Sequence, residues 1–252
     1  MPLNDVGMVA ASTTRSSAYL QALVRNNVLP GFVLLLENSG GQMPGQLAAT
    51  SAATTTVLPD AGLDYWSDSA FDPIIPVQAI LDQHNVPYEI SPNKDINDPA
   101  VVNLLAARAE SVFIYSGFGG VILRQPLLSC GKHFLHVHGG YLPDFKGSTT
   151  NYYSLLCEGS MGASAIFLSA EIDCGPILMR KSFPAPEIRS CIDHIYDSAA
   201  RAKVLVDTLK RYEASKKWEF ELQNNEGGET YYVIHPVLKH IAILGKKLAD
   251  SK

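Results

Sequence analysis

His136 and His138 stand two residues apart in an apolar run, Phe134-Leu135-His136-Val137-His138, that ends at Gly139-Gly140. Alternation of this kind predicts a strand, in which residues i and i+2 share a face. Both imidazoles then lie on one face at the strand's carboxyl end, where open α/β sheets bind their ligands. A second apolar run, Ala163 to Ser169, leads through Ala170-Glu171-Ile172 to Asp173, followed by Gly175. Two imidazoles and a carboxylate, each where a strand gives way to a turn, can do acid/base chemistry. The carboxylate orients an imidazole and raises its pKa. A lone histidine on a strand is more often a packed core or rim residue, and it is the pair together with Asp173 that shifts the weight towards catalysis. His-x-His is also a metal-binding spacing, but no third ligand follows at a supporting distance, so no metal is expected.

The same segment resembles the signature of the 10-formyltetrahydrofolate-dependent formyltransferases. That signature reads Asn-x-His-x-Ser-x-Leu-Pro, then a basic residue and Gly, then Asp-x-Gly-x-Ile. Here the match is His136-Val137-His138-Gly139-Gly140-Tyr141-Leu142-Pro143, then Lys146-Gly147, and Asp173-Cys174-Gly175-Pro176-Ile177. His138 falls on the catalytic His of the family and Asp173 on its catalytic Asp. His136 replaces the Asn and Gly140 the usual Ser. The resemblance spans roughly residues 76–180.

The resemblance implies an N-formyltransferase that moves the formyl group of 10-formyltetrahydrofolate to a primary amine of a small molecule, through a tetrahedral, oxyanionic intermediate. Such a reaction needs a donor for the oxyanion, an acceptor for the ammonium proton and a donor for the leaving nitrogen. His138 is expected to be the acid/base and oxyanion partner, and Asp173 its tuner and a positioner of water. His136 is expected to donate a hydrogen bond where the family uses the Asn amide. The glycine-rich loop Ser116-Gly117-Phe118-Gly119, with Ile122 and Leu123, matches the family's Gly-x-Ile-Leu loop, which holds the pterin of the folate; Leu168, Ala170 and Ile172 complete the expected folate site. Lys146, Asn151 and Tyr152 are the candidate acceptor contacts. Folate is thus the expected co-substrate, with no metal.

Among the family's acceptors, the short C-terminal tail and acidic charge argue against tRNA. Elimination leaves a nucleotide-linked amino sugar as the first choice. One rival is a formyltetrahydrofolate deformylase using water as acceptor, although such enzymes usually carry an N-terminal regulatory domain. The other is a non-catalytic folate- or metabolite-binding regulatory protein, should the changes at positions 136 and 140 disable the site.

The elements that must carry these residues alternate. Val6–Ala11 reads as a strand, 16–26 as a helix and Gly31–Leu36 as a continuous apolar strand, the pattern of a parallel sheet covered on both faces. Ser12-Thr13-Thr14 between the first two is a capping cluster that could also hold an anion. Residues 39–73, rich in Gly, Ala, Ser and Thr, read as a long excursion. Helices follow at 76–84 and 98–108, with strands at 86–90 and 111–115. Beyond the histidine strand come a helix at 149–158, strands at 162–169 and 177–183, and one long amphipathic helix at 190–212. In the tail, Trp218–Leu222 and Tyr231–Ile234 could pair as a hairpin before a last helix, Val237–Leu248. The expected fold is α/β, a Rossmann-like, mostly parallel sheet with helices on both faces, and a short C-terminal hairpin and helix. Residues 1–215 form the catalytic domain and 216–252 an appendage packed on it. No GxGxxG follows the first strand, which disfavours a classical dinucleotide fold.

Composition is that of an ordinary globular chain, 252 residues long, 46% hydrophobic and 18% charged. With a formal net charge of −5 and no dense Lys/Arg run, a nucleic-acid footprint is not expected. Cys130, Cys157, Cys174 and Cys191 form no CxxC pair, and read as reduced thiols. No signal-peptide pattern opens the chain, and no apolar run approaches the roughly 18 residues that cross a bilayer. A cytoplasmic protein without membrane contact is expected, and a homodimer is compatible with the sequence.

Overall fold

The apolar runs become the middle of one sheet. In the computed structural model, which describes residues 2–37, 70–224 and 228–249, β1 (Leu3–Ala11) lies between β2 (Pro30–Leu36) and β4 (Val112–Ser116). β3 (Tyr88–Ile90) and β5 (His133–His138) flank these, and all five strands run parallel. After β5 the direction reverses. β7 (Ser160–Phe167) pairs antiparallel with β5, and β8 (Ile177–Pro184) antiparallel with β7, giving the order β3-β2-β1-β4-β5-β7-β8. The register sets His138 opposite Ser164 and Leu135 opposite Phe167. The excursion expected at 39–73 falls, apart from residues 70–73, outside the described residues.

Helices cover both faces, as fully apolar strands require. On one face α1 (Thr14–Arg25), α2 (Val77–Gln83), α5 (Thr150–Cys157) and α6 (Asp197–Ser215) close a core that includes Met8, Tyr19, Leu20, Leu35, Leu81, Leu135, Val137, Leu205 and Leu209. On the other, α3 (Pro99–Ala107) and the short α4 (Gln125–Leu128) cover Val9, Phe32, Leu34, Phe113 and Phe134. Each such side chain buried contributes about 1.5–3 kcal/mol. Asp98 caps α3 by accepting from Ala100 N at 2.8 Å. Thr13 caps α1 by accepting from Ser16 N at 3.2 Å. The Thr13 hydroxyl of the Ser12–Thr14 cluster is therefore engaged by its own helix as an N-cap.

Two expectations are revised. The single helix at 190–212 opens instead with a 3₁₀ turn, Arg189–Cys191, and a π turn, Ile192–Tyr196, before α6 begins. The expected hairpin does not form, because its two halves dock on different partners. Trp218 stacks on Tyr212, with ring centroids 3.9 Å apart, and this sets Glu221 beside Ile177 at the start of β8. The other half, β9 (Glu229–Tyr231), joins β6 (Phe145–Gly147) as a small parallel sheet. The chain ends in α7 (Pro236–Ala249). Among the described residues no helix is long and apolar enough to cross a membrane.

Candidate active site

Strand alternation aims the two histidines. Leu135 and Val137 point into one core and Phe134 into the other, so His136 and His138 continue the Phe134 side towards the carboxyl end of β5. There the polypeptide turns at Gly139-Gly140, and both glycines are needed for close approach. A Cβ at Gly139 would lie 2.4 Å from the Arg201 guanidinium; one at Gly140 would lie 2.5 Å from the Phe145 carbonyl oxygen and 2.7 Å from His138 Nε2. The family's Ser at position 140 is therefore sterically excluded as the loop stands.

His136 Nδ1 lies 3.3 Å from the Tyr115 carbonyl oxygen. A carbonyl only accepts, so Nδ1 carries the proton. Burial, then the nearby charges of Arg15 and Arg201, hold the His136 pKa well below its ordinary value. The neutral ring thus leaves Nε2 as an acceptor. This corrects the expected amide-like role, since the one N–H of His136 is engaged by Tyr115.

His138 is 5% exposed. Its Nε2 donates to the Phe145 carbonyl at 2.7 Å, and its Nδ1 faces Asp173 Oδ2 at 3.4 Å. Burial lowers the His138 pKa, while the Asp173 carboxylate pulls it back up and Arg201 pushes it down. With Nε2–H already committed to a carbonyl, the labile proton belongs on Nδ1, beside the carboxylate. Asp173 sits at the top of the β7–β8 loop in the left-handed region, φ 55°, and its Oδ2 accepts from Gly147 N at 2.9 Å.

Two cavities meet at these residues. The smaller, about 130 Å³, is mainly apolar; Tyr115, Ile122, Leu123, Leu168, Ala170 and Ile172 are among its walls. The larger, about 570 Å³, is also mainly apolar in area but carries Thr150, Asn151, Asp193, Asp197 and Arg201 among its walls. Val121, Ile122, His136, Ile172 and Asp173 border both. The smaller slot suits a flat, hydrogen-bonding ring. Its lining is mainly apolar, and the Tyr115 hydroxyl on its wall is buried with no partner among the described residues. Among the described residues no three His, Cys, Asp or Glu side chains are placed to share a metal.

The structure thus brings together His136, His138 and Asp173, and gathers Ile122, Leu123, Leu168, Ala170 and Ile172 into one cavity. Asn151 and Tyr152 line the other. It does not bring in the four residues before them in the glycine loop. Ser116 is fully buried and bonds to Ser16, the Gly117 carbonyl accepts from Arg15, Phe118 packs against the second core, and Gly119 faces open space. Lys146 is likewise on neither wall: it is 5% exposed, inside the small sheet.

Sequence reasoning missed Asp193, Asp197 and Arg201, although their i, i+4, i+8 spacing marks one helix face. Asp197 accepts from Asn151 Nδ2 at 2.6 Å and pairs with Arg201 Nε at 2.9 Å. Asp193 accepts from the Tyr152 hydroxyl at 2.8 Å and pairs with Lys239 at 2.5 Å.

The sequence profile of the formyl transferase family matches residues 47–207. The chain belongs to the formyl transferase family. Among its curated relatives is the methionyl-tRNA formyltransferase of Synechococcus sp. (strain JA-3-3Ab), 26% identical over 144 residues, or 55% of this chain and 43% of the relative. A second, from Synechococcus sp. (strain JA-2-3B'a(2-13)), is 27% identical over 170 residues, 65% of this chain and 50% of that enzyme. The chain thus spans about half the length of the curated relatives it matches. The fold is shared with the phosphoribosylglycinamide formyltransferase of Anaplasma phagocytophilum, with a TM-score of 0.56 at 15% identity over 90% of this chain and 97% of that one. It is also shared with WlaRD, a sugar 3N-formyl transferase solved with dTDP and 5-N-formyl-THF, with a TM-score of 0.51 at 14% identity over 91% and 70% of the two chains.

Proposed function

We propose that this formyl transferase family member moves the formyl group of 10-formyltetrahydrofolate to the primary amine of a small molecule. The observation that carries the reading is the shared wall: a small apolar slot and a larger cavity edged with hydrogen-bonding and charged side chains meet at His136 and Asp173. A transfer reaction needs two bound partners in contact, and this geometry supplies two rooms with the ionisable groups between them.

The folate, bound in the slot, supplies an activated formyl carbon. The protein's own groups then handle protons and charge. Neutral His136 offers Nε2 as a hydrogen-bond acceptor that orients the attacking amine, its burial keeping the ring uncharged. His138 takes a proton of the attacking amine on Nδ1 and returns it to the departing folate nitrogen as the carbon–nitrogen bond to the folate breaks, and while protonated it stabilises developing oxyanion charge. Asp173 holds His138 and favours its charged form. Thr150, Asn151, Asp197 and Arg201 offer donors and acceptors together, which suits a polyhydroxylated amine such as an amino sugar. A cavity of about 570 Å³ favours an organic acceptor over water.

The test is an absorbance assay for tetrahydrofolate release from 10-formyltetrahydrofolate, with nucleotide-linked amino sugars, glycinamide ribonucleotide and simple amines, and with none. Release that depends on one amine is the expected result; release without any would replace the transferase with a hydrolase. His138→Ala should lower turnover by about 10²–10⁴-fold while folate still binds.

A further inference from the structure

The region matched to the family ends at residue 207, yet one side chain beyond it reaches the loop that carries Asp173. Gln223 Nε2 donates to the Asp173 carbonyl at 2.8 Å and to the Gly175 carbonyl at 2.7 Å. An amide NH₂ has two hydrogens, one for each of these acceptors. The reverse orientation would turn Oε1 towards two carbonyl oxygens, so the two acceptors fix which way the amide faces. Oε1 is buried and has no partner among the described residues. The side chain therefore carries a buried, unsatisfied acceptor while making these two bonds, an arrangement that calls for an explanation.

The explanation lies in what the loop must hold. Asp173 is a non-glycine residue at φ 55°, a conformation that persists only where its surroundings over-determine it. Gly175 is fixed from below, since a Cβ there would fall 1.8 Å from the Phe167 carbonyl oxygen. Gln223 fixes the loop from above. The amide is delivered by the docking of Glu221 on Ile177, whose two backbone hydrogen bonds are each 2.8 Å. On the far side of the loop the Asp173 carboxylate accepts from Gly147 N and faces His138 Nδ1. The backbone clamp and the carboxylate contacts thus belong to the same residue.

We propose that Gln223 is a positioning residue: it holds the backbone turn at Asp173 and so sets the placement of that carboxylate against His138. The chemistry it supports is the acid/base role argued above, and to that extent the inference rests on that reading. The groups that face His138 are Asp173 from the loop, Asp197 and Arg201 from α6, His136 from its own strand and the Phe145 carbonyl. Only Asp173 is tied to Gln223.

The experiment compares wild-type protein with Gln223→Leu and Gln223→Glu, first without substrate. The His138 imidazole is titrated by NMR, assigned with His138→Ala. Loosening the carboxylate removes the influence that raises the His138 pKa, so Gln223→Leu should lower it by about half a unit or more. Asp173→Asn should shift it in the same direction, and the double variant should add little. Gln223→Glu, which places oxygens against two carbonyls, should act like the leucine variant. In turnover, kcat should fall about tenfold, with the KM values for folate and amine within about twofold. A lowered melting temperature with an unchanged His138 titration would make the clamp merely structural and overturn the proposal. Absence of turnover in every protein would defeat the formyl-transfer reading alone, because the titration reports on the clamp by itself.

Discussion

Restoring the family's serine at position 140 should damage this protein, and the structure says by how much. A Cβ on Gly140 lies 2.5 Å from the Phe145 carbonyl oxygen, 2.7 Å from His138 Nε2 and 3.0 Å from Thr150 Oγ1. The first of these atoms is backbone, held in the β6–β9 pairing, so it cannot simply swing aside. Overpacking of this kind costs about 1–3 kcal/mol. The carbonyl under pressure also accepts from His138 Nε2 at 2.7 Å, and losing that bond adds about 0.5–1.5 kcal/mol. Gly140→Ser should therefore lose roughly 2–4 kcal/mol, a fall in melting temperature of roughly 5–15 °C for a chain of this size. Turnover should fall as well, since the imbalance sits on His138, the imidazole proposed to move the proton. Calorimetry beside Gly119→Ser provides the control, because a Cβ at Gly119 meets nothing within 4 Å; that variant should stay within about 0.5 kcal/mol of wild type. A Gly140→Ser protein melting within about 1 °C of wild type, with full activity, would refute the steric reasoning.

Two further outcomes follow from the same site. Burial depresses the pKa values of both His136 and His138 in the folded protein, so below the ordinary histidine range the unfolded chain binds more protons than the folded one. Stability should then be constant above about pH 6.5 and fall as the pH drops, with a slope of at most about 2.7 kcal/mol per pH unit from the two groups. Urea unfolding between pH 5 and 8 checks this, and greater stability on acidification would be incompatible with buried neutral imidazoles. Ile122 is 60% exposed yet borders both cavities, so Ile122→Asp should leave the melting temperature unchanged. It should raise the KM for folate by roughly 10–100-fold, as the loss of about 1.5–3 kcal/mol of apolar burial requires. An unchanged KM would place the folate elsewhere.

The readable parts of this chain were those governed by short-range rules. Alternation in Phe134–His138 gave the strand and the shared face of its histidines, whereas Ile122, Leu123, Leu168 and Ile172, which line the slot, were expected only from the family resemblance. What escaped was long-range. Gln223 is chemically ordinary and becomes significant only because Trp218 stacks on Tyr212 and steers the following residues along β8. The same steering undid the hairpin, whose residues had suitable alternation and a plausible turn but better partners in β8 and β6. The proton on His136 was legible only once Tyr115 O was seen beside Nδ1, since residue type alone cannot say which nitrogen is occupied. Ser116 to Gly119 line neither cavity, because glycines in a turn permit a ligand's approach without requiring it; here the Gly117 carbonyl accepts from Arg15 and the Tyr115 side chain lies against the Gly117 Cα.

The isoleucines that separate the two cavities have an energetic meaning of their own. Ile122 and Ile172 stand 60% and 55% exposed, and each borders both the slot and the larger cavity. Whatever enters the slot covers one flank, immobilises the side chain and becomes part of the surface the second molecule meets. Occupancy of one room therefore alters the free energy of filling the other, and by linkage the change is the same in either direction. For the two partners of the proposed reaction, the pair of cavities would form a single thermodynamic unit, in which affinity for one partner depends on the other partner's presence.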